Sequence, residues 1–283
     1  MHGQRCVKVG GAIDMSEPSA ISQVTLFGIA VSKLTMNELL ALCEAHIETR
    51  ARLLLGVVNV AKLINARRDA ELRRSIQEAD VVLADGQGVA WLSQWLGDPV
   101  PERVAGIDIM MELIRMADRR NLRIYFLGAS EDVVSRVVAC VQNLYPGVQI
   151  AGHRDGYFDL EREGPVIAEG IRVSSADILF VAMPSPKKEN FLRRWIAEME
   201  VPVCHGVGGS FDVLAGVVKR APQWMQRAGL EWLYRVIQEP RRMWRRYLIT
   251  NSKFLALSLW EIIRCRLLSR ALRRKAEYHE KAG

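Results

Sequence analysis

Apolar residues follow one another along this chain in two alternating styles. Short uninterrupted runs occur at RLLLGVV (52–58), ADVVLA (79–84), LRIYFLG (122–128), VQIAG (148–152), ADILFVA (176–182) and VPVCHGV (201–207). Between them, MMELIRMADRR (110–120), DVVSRVVACVQNLY (132–145) and ENFLRRWIAEM (189–199) place apolar residues at i, i+3 and i+4, the period of a helix with one buried face. Strands that are apolar at every position are covered on both faces, so the pattern predicts an α/β fold: a Rossmann-like, open, mostly parallel sheet with helices on both faces. In such sheets ligands bind in the crevice beyond the carboxyl ends of the strands. Four segments fall there: Asn59, Asp85-Gly86, Pro184 to Glu189 and Gly206 to Asp212.

The pattern changes at both ends. Residues 1–22 contain Gly10, Gly11, Ser16, Pro18 and Ser19 without any sustained period, and are expected to form a flexible leader. Residues 23–221 form the α/β core. From about residue 222 no further strand is predicted; residues 222–283, rich in Trp and Arg, read as a C-terminal helical appendage with Pro222 and Pro240 at or near helix starts.

Charge sharpens that division. The net charge is +7, yet residues 235–283 hold thirteen Lys or Arg against four Asp or Glu, a net of +9, which leaves the preceding residues at −2. Arg235, Arg242 and Arg245 would share one helical face if a single helix ran through Pro240, presenting guanidinium forks suited to a diphosphate. Farther on, Phe254, Leu255, Leu259, Trp260, Ile262, Ile263, Leu267 and Leu268 form an apolar surface flanked by Lys and Arg, which suits an anionic membrane interface or packing on a neighbour. Across the 283 residues, 49% are hydrophobic, enough for a sizeable core, and no stretch is long and apolar enough to suggest a membrane span or a secretory signal. The five cysteines are scattered, as in a reducing cytoplasm.

Several chemistries lack their signatures. There is no D-x-D, no H-E-x-x-H, no G-x-S-x-G, no G-x-G-x-x-G and no phosphate loop of the G-x-x-x-x-G-K type. Neither a metal site nor a bound cofactor is expected. What remains is local. Asp85, directly after a predicted strand, either caps the next helix or stands as a general base at the rim of the crevice. Gly208 and Gly209 in GVGGSFD let backbone approach a ligand, or make an ordinary turn. Lys187 and Lys188 in PSPKKE either bring positive charge to the crevice or begin a solvated helix. Arg103 in ERVAG reaches an anion or holds a surface ion pair.

Seven blocks in register resemble the WecG/TagA/CpsF family of bacterial glycosyltransferases: VVNVAKLINARRD (57–69), ADVVLADGQGV (79–89), PERVAGID (101–108), YPGVQIAGHRDGYF (145–158), PSPKKE (184–189), GVGGSFDVLAG (206–216) and RAPQWMQRAGLEWLYRVIQEPRRMWRRY (220–247). The likeness covers roughly residues 24–250. It implies transfer of a hexose-type sugar from a UDP-sugar to a polyprenyl-diphosphate-linked acceptor in surface polysaccharide synthesis, with inversion and without a metal, by a protein peripheral to the cytoplasmic face of the membrane. It also implies that Asp85 is the base. Asn59, Arg103, Lys188, Gly208, Gly209 and the appendage residues Arg235, Arg242 and Arg245 would then hold the nucleotide sugar. Two positions depart from the family pattern: Val57 stands where many members carry Thr, and Lys188 where they carry Gln. Both leave the donor sugar open. The expected partners are the donor, the lipid-linked acceptor and an anionic membrane surface, with self-association left open. Two rival readings are a different nucleotide-sugar-modifying enzyme on the same sheet and a nucleic-acid-binding module using the basic tail; the Trp-bearing apolar face suits lipid better than a phosphate groove.

Overall fold

The computed structural model describes residues 21–282, except for the side chains of residues 242, 243, 246, 265, 266 and 268–282. The leader expected over residues 1–22 therefore lies outside the described residues apart from 21 and 22.

Among the described residues eight strands and twelve helices follow in the order β1 (Gln23–Leu26), β2 (Ile29–Ser32), α1 (Met36–Thr49), β3 (Leu53–Val58), α2 (Val60–Asn65), α3 (Ala70–Gln77), β4 (Val81–Ala84), α4 (Gln87–Trp95), α5 (Gly106–Arg120), β5 (Arg123–Gly128), α6 (Glu131–Leu144), β6 (Gln149–Arg154), α7 (Leu160–Val173), β7 (Ile178–Ala182), α8 (Lys187–Met199), β8 (Val203–Gly206), α9 (Ser210–Leu214), α10 (Gln223–Arg227), α11 (Glu231–Gln238) and α12 (Pro240–Ala282). Strands β3 to β8 form one parallel sheet in the order β4-β3-β8-β7-β5-β6, and all six were predicted as strands. The antiparallel hairpin of β1 and β2 was not.

The sheet is buried on both sides because its strands are apolar at successive positions. On one side Leu53, Leu55, Val57, Leu83, Phe126 and Phe180 pack under α1, α5, α6 and α9. On the other, Val58, Val82 and Ala84 meet the hairpin and α2, α3 and α4, while Leu54, Leu179, Val181 and Cys204 meet α7 and α8. Short polar side chains start the helices where the pattern changes from strand to helix: Asn59 accepts from Lys62 N, Asp69 from Leu72 N and Ser130 from Val133 N.

The C-terminal helices dock on the second side. Phe254 of α12 joins the hairpin cluster, edge-on to Phe27 with ring centroids 5.9 Å apart. Thr250, Phe254 and Ser258, spaced by four, form the buried stripe of the helix, while Leu248, Leu255, Leu259, Trp260, Ile263 and Leu267 are exposed. The apolar surface expected from sequence thus loses Phe254 to the core and keeps the rest of its described side chains outward, apart from the partly buried Ile262; Leu268 lies outside the described side chains. Among the described residues no helix is long and apolar enough to cross a membrane.

Candidate active site

Asp85 extends β4 by one residue, its N–H donating to Val58 O at 2.8 Å. The expectation that it caps α4 fails, because Gly86 takes the N-cap position at φ +103°, and no side chain caps that helix. An L side chain rarely adopts this conformation, so glycine is what allows the chain to turn there and leaves the carboxyl uncommitted. No described side chain hydrogen-bonds or ion-pairs with it. Burial pushes the Asp85 carboxyl above its ordinary range and Glu231 adds to the rise, against the pull of Arg103, Arg235 and Lys62.

Beside it lies a buried charge cluster. Asn59 spends its Oδ1 on the first turn of α2, and one turn on, Lys62 folds back so that Nζ donates to Val57 O at 2.8 Å and pairs with Glu189 Oε1 at 2.9 Å. Lys188 Nζ pairs with the same oxygen at 3.4 Å. Burial would raise Glu189, but the two ammonium groups overcome it and hold the carboxyl at about 2. Burial, helped by Lys62, pushes Lys188 down to about 8. The Lys188 stem runs under the glycine loop: a Cβ on Gly206 would lie 3.0 Å from its Cε, and one on Gly208 would lie 3.4 Å from Nζ. Gly208 has φ +55° and Gly209 is the N-cap of α9. Lys188 is therefore not a solvated helix start. Lys187 turns elsewhere, donating to Gly156 O and Phe158 O at 3.0 and 2.6 Å.

The opposite side of the rim is built from arginines. Arg103 pairs with Glu231 of α11, and its Nη2 lies 3.7 Å from Asp108 Oδ2. Arg220 grips Asp108 through both nitrogens, at 2.7 and 2.9 Å. Around them opens a pocket of about 540 Å³, bounded by Gln87, Arg103, Asp108, Arg220, Gln223, Gln226 and Arg227. The first turn of α5, which carries Asp108, is anchored by His205, whose Nε2 lies 3.0 Å from Gly106 O. Burial pushes this imidazole down to about 4, so it is neutral and structural. Val57 packs into the core, its side chain 3.4 Å from where a Cβ on Gly106 would lie, and is not presented to the cleft.

The three appendage arginines do not share a helix. Glu239 (φ −129°, ψ 64°) ends α11, and Pro240, lacking an N–H, begins α12. Arg235 is close enough for its charge to act on Asp85. Arg245 is exposed on α12 without a described partner, and the Arg242 side chain lies outside the described residues. Lys62, Glu189, Asp108, Arg220 and Glu231 were not anticipated. The first carried a signal, since a lysine three residues after a helix N-cap points back to the strand end. Among the described residues no three His, Cys, Asp or Glu side chains are grouped as a metal site requires.

Residues 24–267 match the pattern of the glycosyl transferase WecG/TagA/CpsF family. The chain belongs to this family. The glycosyltransferase is 40% identical over 173 residues, 61% of its own length and 66% of the other's, to a Bacillus spizizenii protein named N-acetylglucosaminyldiphosphoundecaprenol N-acetyl-beta-D-mannosaminyltransferase. Proteins of the same name from Bacillus subtilis (33% over 225 residues, 79% of this chain and 86% of the relative) and Staphylococcus aureus (30% over 233 residues, 82% and 91%) are similar over more of the chain.

Proposed function

We propose that this glycosyltransferase moves a hexose-type sugar from a UDP-sugar to a polyprenyl-diphosphate-linked acceptor, in one inverting displacement that needs no metal. The observation that carries the reading is the uncommitted Asp85 carboxyl at the carboxyl rim of the sheet, raised by burial and faced by Arg103, Arg235 and Lys62. Asp85 takes the proton of the acceptor hydroxyl as that oxygen bonds to the anomeric carbon. The bond from that carbon to the phosphate oxygen breaks at the same time, its electron pair leaving with UDP. Asn59, Lys188, Gly208 and Gly209 line the side where the nucleotide sugar lies, and Arg103 and Arg235 offset the charge that grows on the leaving diphosphate. A lysine at position 188 places an ammonium where a sugar hydroxyl or carboxylate of the donor would be read.

The outward stripe of α12, with Leu255, Leu259, Trp260, Ile263 and Leu267 exposed, supports a protein that lies on an anionic membrane surface, where a lipid-linked acceptor is reached. Sedimentation with anionic liposomes, with and without residues 235–283, tests this; equal sedimentation of both forms rejects it.

Asp85→Asn tests the chemistry. Loss of a positioned base lowers kcat by about 10²–10⁴-fold, while UDP binding and the melting temperature hold. Transfer at the wild-type rate would remove Asp85 from the role of base.

A further inference from the structure

Asp85 is approached by two separate cationic groups. Lys62 and Lys188 rise from α2 and α8, on one side of the sheet. Arg103 and Arg220 converge on Asp108 of α5, on the other. A displacement at a sugar carbon also has two sides, because the leaving diphosphate departs opposite the incoming oxygen. In the acceptor named for the relatives, that incoming oxygen belongs to a sugar which itself carries a diphosphate. Two diphosphates must therefore be held at once, with a base between them.

We infer that the pocket bounded by Arg220 and Arg227, with Arg103 between it and the donor, binds the diphosphate of the lipid-linked acceptor, separately from the donor; the inference rests on the transfer reaction proposed above. The pocket, about 540 Å³, has the volume for a diphosphate with the sugar next to it. Three guanidinium groups and the amides of Gln87, Gln223 and Gln226 line it; Asp108 engages Arg220 and Glu231 engages Arg103, which leaves Arg227 without a described carboxylate partner. Guanidinium forks match paired phosphate oxygens. Among the described residues Arg220 Nε has no hydrogen-bond partner, so this guanidinium is not saturated by Asp108. Gln87 lies two residues after Asp85, so the pocket adjoins the base. Trp224, 64% exposed between two lining glutamines, gives the first prenyl units an apolar edge at the mouth.

The probe is geranyl diphosphate, titrated by calorimetry into the full-length protein saturated with UDP. Arg227→Ala is the variant, because Arg227 is exposed and has no described partner, so folding is retained and a melting curve verifies it. The expected result is geranyl diphosphate binding in the presence of UDP, weakened at least about tenfold in the variant as a charged hydrogen-bonding group is lost. UDP affinity should stay within about twofold of wild type, as it must if the two sites are distinct. Gln223→Ala should weaken the same binding to a smaller extent. The proposal is overturned if UDP abolishes geranyl diphosphate binding, if Arg227→Ala leaves that binding unchanged, or if the variant loses UDP as strongly. Geranyl diphosphate binding that depends on Arg227 in a protein that binds no UDP would support the pocket and reject the transfer reading.

Discussion

Phe254→Ala should release the C-terminal helices from the core. Phe254 is 5% exposed, meets Phe27 edge-on, and lies 3.7 Å from where a Cβ on Gly88 would be. Among the described side chains of α12 the other fully buried ones, Thr250 and Ser258, are small and polar, and Leu257 is only partly buried against the same cluster, so this ring is the main apolar anchor of the helix. Truncating a buried Phe to Ala costs about 3–5 kcal/mol. Set against the docking equilibrium of one helix, even about 3 kcal/mol is roughly a hundredfold shift toward the released form. Limited trypsin digestion reads this directly, because Lys253 and Arg264 lie along α12. Cleavage in this region should accelerate by up to about a hundredfold at temperatures where the sheet remains folded, since local opening is governed by local contacts. Phe254→Leu, which keeps most of the apolar volume, should cost less than about 1.5 kcal/mol and speed cleavage by no more than about tenfold. Transfer should fall along with docking, because α11, which pairs with Arg103, is joined to the released helix. Cleavage at the wild-type rate, or cleavage that rises only with global unfolding, would refute the reasoning.

Other perturbations act on the charges. Glu189 is held at about 2, below its ordinary value of 4.5, so its contribution to stability is present above pH 4.5 and is lost as the pH falls toward 2. Glu189→Gln should abolish that part of the acid dependence in chemical melts and lower stability at neutral pH by about 3–5 kcal/mol, because two buried ammonium groups lose their partner; an unchanged acid profile would reject this. In Glu231→Gln, a group that raises Asp85 is removed and Arg103 is freed, and both effects lower the Asp85 pKa. The acid limb of the kcat/KM profile should therefore move to lower pH, and a limb that stays or moves upward would contradict the assignment. Arg103→Ala should depress kcat more than donor binding, as a group that acts on developing charge does; equal losses in both would reject that role.

The sequence spoke most clearly where burial is two-sided. β3, β4, β5, β7 and β8 are apolar almost residue by residue because helices cover both faces, and each could be read alone. The hairpin of β1 and β2 escaped because each strand has only four residues, and in β1 these are alternately exposed and buried, too short a sample for a period of two. In the site, Asp85, Asn59, Lys188 and the glycines were legible because they follow strands directly. Their partners were not, since Arg103 meets Glu231 across 128 positions and Arg220 meets Asp108 across 112. Nothing local marks a residue whose neighbour lies that far along the chain. Sharing one helix among the arginines failed for a local reason that was visible, the proline at position 240.

That proline carries a mechanical consequence. A rigid rod from Glu231 to the end of α12 would turn each tilt of the outer helix into a swing of Arg235 across the cleft. The break at Glu239 replaces the lever with a joint: α11 is held by its own ion pair to Arg103 and by Trp232, which meets Tyr247 of α12 with ring centroids 5.9 Å apart, while Phe254 seats α12 on the core. A tilt of α12 then reaches Arg235 only through that side-chain packing and not along a continuous helical backbone.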